Sequence, residues 1–192
     1  RLQAFADLAA KAIENASLYE NLEAQAKESE SLFRASTALL NTGSDIDSLA
    51  EQIVQTVHRD FTAAHCAVLL VDEKQFLLHR VAQSGYKTIN ESPIAYNVTP
   101  SISRRAIYEK KPVYIPDVSK DPEYFRGAAQ TRSEFDIPLM SGENVIGVLN
   151  LESTVVDGFD DRSRRVLITY AERAATALEN ARLFSNLQKR DS

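Results

Sequence analysis

Chemistry near neutral pH needs a nucleophile, an acid–base group or a metal ligand, and this chain offers few of each. It has one cysteine, Cys66, and three histidines, His58, His65 and His79. Cys66 opens the apolar run Cys66–Val71, where a free thiol acts as a small buried hydrophobe. A single cysteine makes no internal disulfide and, with three scattered histidines, no cysteine-rich zinc site. The histidines are too widely spaced for a short metal-ligand motif. One of them as an axial haem ligand would need a second ligand, and the sequence signals none. Glu109, Asp117, Asp121, Glu123, Glu134 and Asp136 lie in or beside an irregular segment. They lack the spacing of an acid–base pair and are expected to be solvated loop charge. No catalytic residue, metal or cofactor is expected.

Binding is better served. A pocket needs apolar walls and a few fixed polar groups. The segment 84–136 supplies Tyr86, Tyr96, Tyr108, Tyr124, Phe125, Arg126, Arg132 and Ser133. Tyr96, Tyr124, Phe125, Arg126, Arg132 and Ser133 are the candidate ligand-binding residues, with either arginine suited to clamp a carboxylate or phosphate. On the competing reading the aromatics close the core and the arginines are solvated.

The elements that must position these residues follow from periodicity. Asn41–Asp45 stops one helix and restarts another, with Ser44 or Asp45 as cap. Leu49, Ile53, Val54 and Val57 then mark one stripe of a helix over 46–61. Cys66–Val71 and Phe76–Ala82 read as a hairpin with a turn of three or four residues. Residues 84–132 look largely irregular, with a short helix near 101–109 and a short strand at 112–115. Long irregular segments of this kind are usually lids or binding loops. Ser133–Leu139 and Val145–Ser153 form a second hairpin. Val145, Gly147, Leu149 and Leu151 are expected on one face, and Ile146, Val148 and Asn150 on the other. Both faces are mostly apolar, so this strand is placed centrally and covered on both sides. Gly147 suggests close approach by another backbone or a ligand. Asp160 is the expected cap of a closing helix over about 161–188. Strands are consecutive and helices lie at both ends. The fold class is therefore α+β with a central antiparallel sheet, not alternating βαβ.

That closing helix has a counterpart at the start of the chain. Leu2–Ala24 aligns with Leu167–Lys189, setting Leu2 against Leu167, Ala9 against Ala174, Asn15 against Asn180, Leu18 against Leu183 and Leu22 against Leu187. Self-similarity at a domain-sized spacing implies a tandem array. Residues 1–40 are expected to be a linker helix closing an upstream domain, and 41–188 one whole domain. The chain is thus expected to be a piece of a longer protein. Residues 1–40 hold neither glycine nor proline, and as one helix would span about 60 Å. Ala12, Tyr19, Ala26, Phe33 and Leu40 recur in heptads, an imperfect coiled-coil seam with Asn15 available to fix register. A homodimer is expected through Leu8, Ala12, Asn15, Leu18, Tyr19, Leu22, Leu178, Leu183 and Leu187.

Net charge is -5 and the pI about 5.3, with hydrophobic residues at 44%. No basic run suggests nucleic acid or an anionic membrane as partner, and no apolar run reaches the roughly 20 residues of a membrane span. A cytoplasmic location is expected.

Three motifs carry a resemblance: Pro112-Val-Tyr-Ile-Pro-Asp117, Arg132-Ser-Glu-Phe-Asp-Ile-Pro-Leu139, and Val145-Ile-Gly-Val-Leu-Asn-Leu-Glu-Ser153 followed by Phe159-Asp160 and a long helix. Together they resemble the GAF-domain family of small-molecule sensor modules, over about residues 30–188. The resemblance implies a GAF-like, profilin-like sheet of about six antiparallel strands. Terminal helices lie on one face and commonly build a parallel dimer. Loops and short helices roof the other face, with ligands beneath. It also implies neighbouring domains in a signalling protein, such as a histidine kinase, cyclase, phosphodiesterase, phosphatase or transcription factor. A bacterial two-component, phosphorelay setting is the expectation, with the domain non-catalytic. A ligand-free dimerisation scaffold is the alternative, and an enzyme or a chromophore or haem sensor of this fold ranks third. A GAF-like methionine-sulfoxide reductase would need partner cysteines that are absent. A bilin photoreceptor would need a Cys-His pair in the lid, whereas His65-Cys66 falls on a strand. Asp157-Gly-Phe-Asp-Asp161 lacks the Asn-Lys part of the family's cyclic-nucleotide signature.

Overall fold

The computed structural model describes residues 45–190 except 62, 87–91, 126, 127 and 129, with backbone alone for 187–190. The helix expected over 1–40, with Leu8, Ala12, Asn15, Leu18, Tyr19 and Leu22, lies outside the described residues. So do Arg126 and the side chain of Leu187.

Helix α1 runs Ile46–Asp60 and is capped by Asp45, whose carboxylate accepts from the Ser48 amide at 2.9 Å. Its Leu49, Ile53, Val54 and Val57 stripe is buried, and each such side chain contributes roughly 1.5–3 kcal/mol relative to exposure. Strands β1 (His65–Asp72) and β2 (Leu77–Ser84) make the first hairpin. The segment expected to be irregular holds β3 (Ile94–Ala95), α2 (Ile102–Glu109), β4 (Val113–Ile115) and a 3-10 turn at Val118–Lys120. The Ser101 hydroxyl caps α2 by accepting from the Arg104 amide at 3.1 Å. Strands β5 (Ser133–Ser141) and β6 (Asn144–Ser153) form the second hairpin. Helix α3, Asp161–Arg190, closes the domain. Asp160 caps it, accepting from the Ser163 amide at 2.7 Å.

The six strands form one antiparallel sheet in the order β3-β2-β1-β6-β5-β4. This is the α+β architecture expected. β6 lies in the middle between β1 and β5, and all its residues but Asn144 are buried. At Gly147 a β-carbon would stand 2.5 Å from the Leu69 carbonyl oxygen of β1. The close approach read from the sequence is therefore a neighbouring strand.

Successive side chains of a strand point to opposite faces. Phe135 of β5, Leu151 of β6 and Cys66 of β1 are register partners and share the face covered by α1 and α3. Phe135 meets Phe159, just before α3, with ring centroids 6.1 Å apart. On the opposite face Ala67, Leu69 and Val148 pack with Ile107 of α2.

The expected face assignment of β6 needs one correction. Leu139 pairs with Gly147 but Met140 pairs with Val145, which leaves Ile146 as an extra residue. Such a bulge shifts the alternation. Val145 consequently packs with Val148 in the α2-side cluster rather than with Leu149. A second correction concerns Leu178, expected at a dimer seam. It is 2% exposed within its own chain, so no second copy can reach it in this conformation. Leu183 and Phe184, one turn further on, are 52% and 62% exposed.

Candidate ligand-binding site

The layer between the sheet and α2 has an apolar end and a polar end. At the apolar end Leu69, Leu78, Ile107, Val145 and Val148 surround Tyr96. A second apolar group, Ile102, Ala106 and Val113, holds the underside of α2, with Ile115 and Tyr124 against it. At the polar end, β5 contributes Glu134 and Asp136, and β6 contributes Asn150 and Glu152. Their registers set Glu134 against Glu152 and Asp136 against Asn150. All four are nearly inaccessible, with Asp136 at 0%, Glu152 at 3% and Glu134 at 5%.

Buried polar groups must find partners, and these find one another. The Asn150 amide donates to Glu134 Oε1 at 2.9 Å and to Asp136 Oδ1 at 2.7 Å. Its carbonyl oxygen lies 3.0 Å from the Tyr86 hydroxyl, which also reaches Glu152 Oε1 at 2.9 Å. The Thr131 hydroxyl donates to Glu152 Oε2. Ser103, on α2, donates to Asp136 Oδ2 at 2.5 Å. The network thus ties the central strands to α2 and to the segments that follow β2 and precede β5.

Arg80 lies over the Tyr86 ring, 4.8 Å from its centroid, and donates to Gln83. The His65 ring also meets that ring, tilted, with centroids 4.9 Å apart. No cation reaches the carboxyl groups among the described hydrogen bonds. Burial, then the neighbouring Asp136 and Glu152, hold the Glu134 carboxyl well above the usual carboxylate range. Burial pushes Asp136 up to about 7, against the hydrogen bonds from Ser103 and Asn150. The one Asn150 amide bonds an oxygen of each carboxyl group, which brings the two groups close together. Burial and Glu152 push the Tyr86 phenol upward, so it stays a donor.

The residues expected to bind ligand do not converge. Tyr96 is a core ring between Phe76 and Tyr108. Tyr124 is half-buried against the other apolar group. Phe125 is half exposed. The Arg132 side chain is exposed, while its backbone bridges Ser153 and Val118. Ser133 is corrected outright. It shares the face of Phe135, and its hydroxyl donates to the Val155 carbonyl at 2.8 Å and accepts from the Gly158 amide at 3.1 Å. Its role is to fasten the 153–158 loop. Glu134 and Asp136, expected to be solvated, are instead among the most buried charges of the domain.

Cys66 is wholly buried, and burial drives its thiol strongly upward, so little thiolate forms. Among the described residues, no group of three or more His, Cys, Asp and Glu is arranged to hold a metal ion. An open cleft of about 420 Å³ lies at the other end of β1 and β6, where Asp72, Lys74, Asn144 and Arg182 line it. No helix among the described residues is long and apolar enough to cross a membrane.

A central antiparallel sheet, paired terminal-type helices on one face and a roofed polar layer on the other define a class of small sensory and regulatory modules. The family model of the GAF domain matches residues 43–179, and the chain belongs to that family. It is 32% identical over 59 residues to GAF domain-containing protein A of Dictyostelium discoideum, covering 31% of this chain and 37% of that protein. The chain thus aligns with well under two thirds of that relative. Among solved structures it resembles the GAF domain of a Coxiella burnetii phosphoenolpyruvate-protein phosphotransferase, with a TM-score of 0.75 and 14% identity over 83% of this chain and 96% of that one. It also resembles free methionine-R-sulfoxide reductase from Neisseria meningitidis, with a TM-score of 0.73 and 20% identity over 81% and 90% of the two chains. At such identities the structural likenesses carry the fold alone. They include both a GAF domain of a larger protein and a free-standing reductase.

Proposed function

We propose that this chain is a non-catalytic sensory domain of a larger signalling protein, of bacterial two-component, phosphorelay type, in the cytoplasm. A small molecule binds between the sheet and α2, and the change passes along α3 to a dimer partner and to neighbouring domains. The observation that carries this reading is the buried polar network of Glu134, Asp136, Asn150 and Glu152 in an otherwise apolar layer. An apolar filling would stabilise a purely structural core as well or better. The network is rich in acceptors and poor in cations, which suits a ligand carrying hydrogen-bond donors or positive charge. α3 is the natural output, because it packs on the sheet and continues to exposed Leu183 and Phe184.

Native mass spectrometry of the purified chain tests the first half. A co-purifying small-molecule mass lost in Asn150→Leu supports it, and a bare chain with no thermal shift across a metabolite library sinks it. Sedimentation tests the second half. A dimer should dissociate in Leu183→Asp/Phe184→Asp, and a monomer at high concentration would count against coupling through paired helices.

One observation favours a ligand-free scaffold instead. Each described member of the network is already bonded to another member. That reading predicts an unchanged melting temperature with every compound. An enzyme of this fold ranks third, since the one thiol is sealed in the core.

A further inference from the structure

Glu134 and Asp136 stand one residue apart on the same face of β5, both hidden from solvent. The Asn150 amide holds one oxygen of each, so the carboxyl groups press together. Two adjacent carboxylates cannot both ionise cheaply in a dry site. Asp136 in turn accepts the Ser103 hydroxyl, a hydrogen bond from α2 into the network. We propose that this pair is a proton-operated latch, which holds α2 closed over the sheet while it shares a proton and loosens it when the proton leaves. The latch requires no bound ligand, so it stands or falls separately from the proposed sensing role.

The surroundings fix the sign. From β6 the pair faces Glu152, a third acid, and the neutral Asn150. From β1 the same face carries His65, and from β2 Arg80, which sits over Tyr86 rather than against a carboxyl. The segments beyond β2 and before β5 bring Tyr86 and Thr131. β4 brings the apolar Val113 and Ile115. α2 brings Ser103, while its Arg104 and Arg105 are engaged with Tyr108, Glu123 and Asp121. No described cation is therefore placed to absorb a second negative charge. In the closed state both carboxyl groups bind protons more tightly than usual. In an opened, hydrated state they return to the ordinary carboxylate range. Protons thus favour closure, and opening gains up to about tenfold per pH unit for each proton retained only when closed. The effect builds from the ordinary carboxylate range towards neutrality.

Hydrogen exchange of the whole chain tests this. Amides of Ile102–Glu109 are followed at about pH 5.5 and about pH 8, corrected for intrinsic exchange, with the buried part of α3 as reference. About a tenfold faster corrected rate is expected at the higher pH. In Glu134→Gln/Asp136→Asn that ratio should fall to about one, because the isosteric amides cannot ionise; the amide at 136 can still accept from Asn150 through its oxygen and turn its NH2 to the Ser103 oxygen. A wild-type ratio below about three overturns the proposal. So does a pH dependence that survives in the double variant, which would place its origin outside the pair. Carbon-13 titration of the wild-type carboxyl groups needs no variant. Titration of at least one of the pair near or above neutrality supports the latch, and completion of both below about pH 5 overturns it.

Discussion

Asn150→Asp is the sharpest test of the buried network, because it changes one nitrogen to oxygen and almost no volume. The wild-type amide donates to Glu134 and Asp136 at 2.9 and 2.7 Å. With one proton shared by the pair, one of these bonds goes to a charged acceptor, roughly 1.5–3 kcal/mol, and the other to a neutral one, roughly 0.5–1.5 kcal/mol, so losing both donors costs about 2–4.5 kcal/mol near pH 7.5. A domain of this size has about 5–15 kcal/mol in total. The loss should lower the melting temperature by roughly 5–15 °C. Near pH 5 the introduced carboxyl is protonated by its neighbours and donates one hydrogen bond, so about half of the loss should return. The wild type moves in the same direction. Its raised Glu134 and Asp136 bind protons that the unfolded chain releases, so its stability falls as pH rises from the ordinary carboxylate range through about 7, where Asp136 titrates, and goes on falling until Glu134 has lost its proton as well. Urea unfolding followed by circular dichroism at both pH values separates the two effects. A variant within about 1 kcal/mol of wild type near pH 7.5, or one equally destabilised at both pH values, would refute the reasoning.

Gly147→Ala should destabilise the domain by about 1–3 kcal/mol, read from thermal melting, because the new methyl meets the Leu69 carbonyl of a central strand that cannot retreat. Cys66 should resist a thiol reagent in the native protein and react fully in urea, since burial both raises its thiol and denies access. Asp160→Ala should cost about 1 kcal/mol by removing the cap of α3. Hydrogen bonds from Ser163 hold that carboxyl below its usual range, so its contribution is present above the ordinary carboxylate range and vanishes as pH falls through the lowered value. Variant and wild type should therefore converge in acid urea titrations.

Local order was readable wherever a short-range rule governed it. The stripe of α1, the Ser101 start of α2, the Asp160 cap and both hairpins obey propensity, capping and alternation, and each lies where those rules put it. The position of β6 between β1 and β5 was not readable, because pairing across most of the chain leaves no local mark. The bulge at Ile146 was hidden for a related reason: an extra residue shifts the alternation without changing composition. The buried site does leave a mark in the sequence. Glu134 and Asp136 alternate with Phe135 and Ile137, as Asn150 and Glu152 alternate with Leu149 and Leu151. Polar residues at every second position of strands covered on both sides must be buried together. The same alternation separates Ser133 from that group and sends it to the helix face. Leu178 was misplaced because an apolar helical stripe looks alike whether a sheet or a second helix covers it.

The placement of β6 bears on how the chain is made. A nascent chain that ends before Asn144 has β1 and β5 without the strand that joins them. Each fragment then presents a long apolar edge able to recruit strands from other molecules. Pairing of such high sequence separation also forms slowly. Synthesis of this domain therefore passes through an interval in which chaperone protection matters most, and that interval closes only when the last strand has left the ribosome.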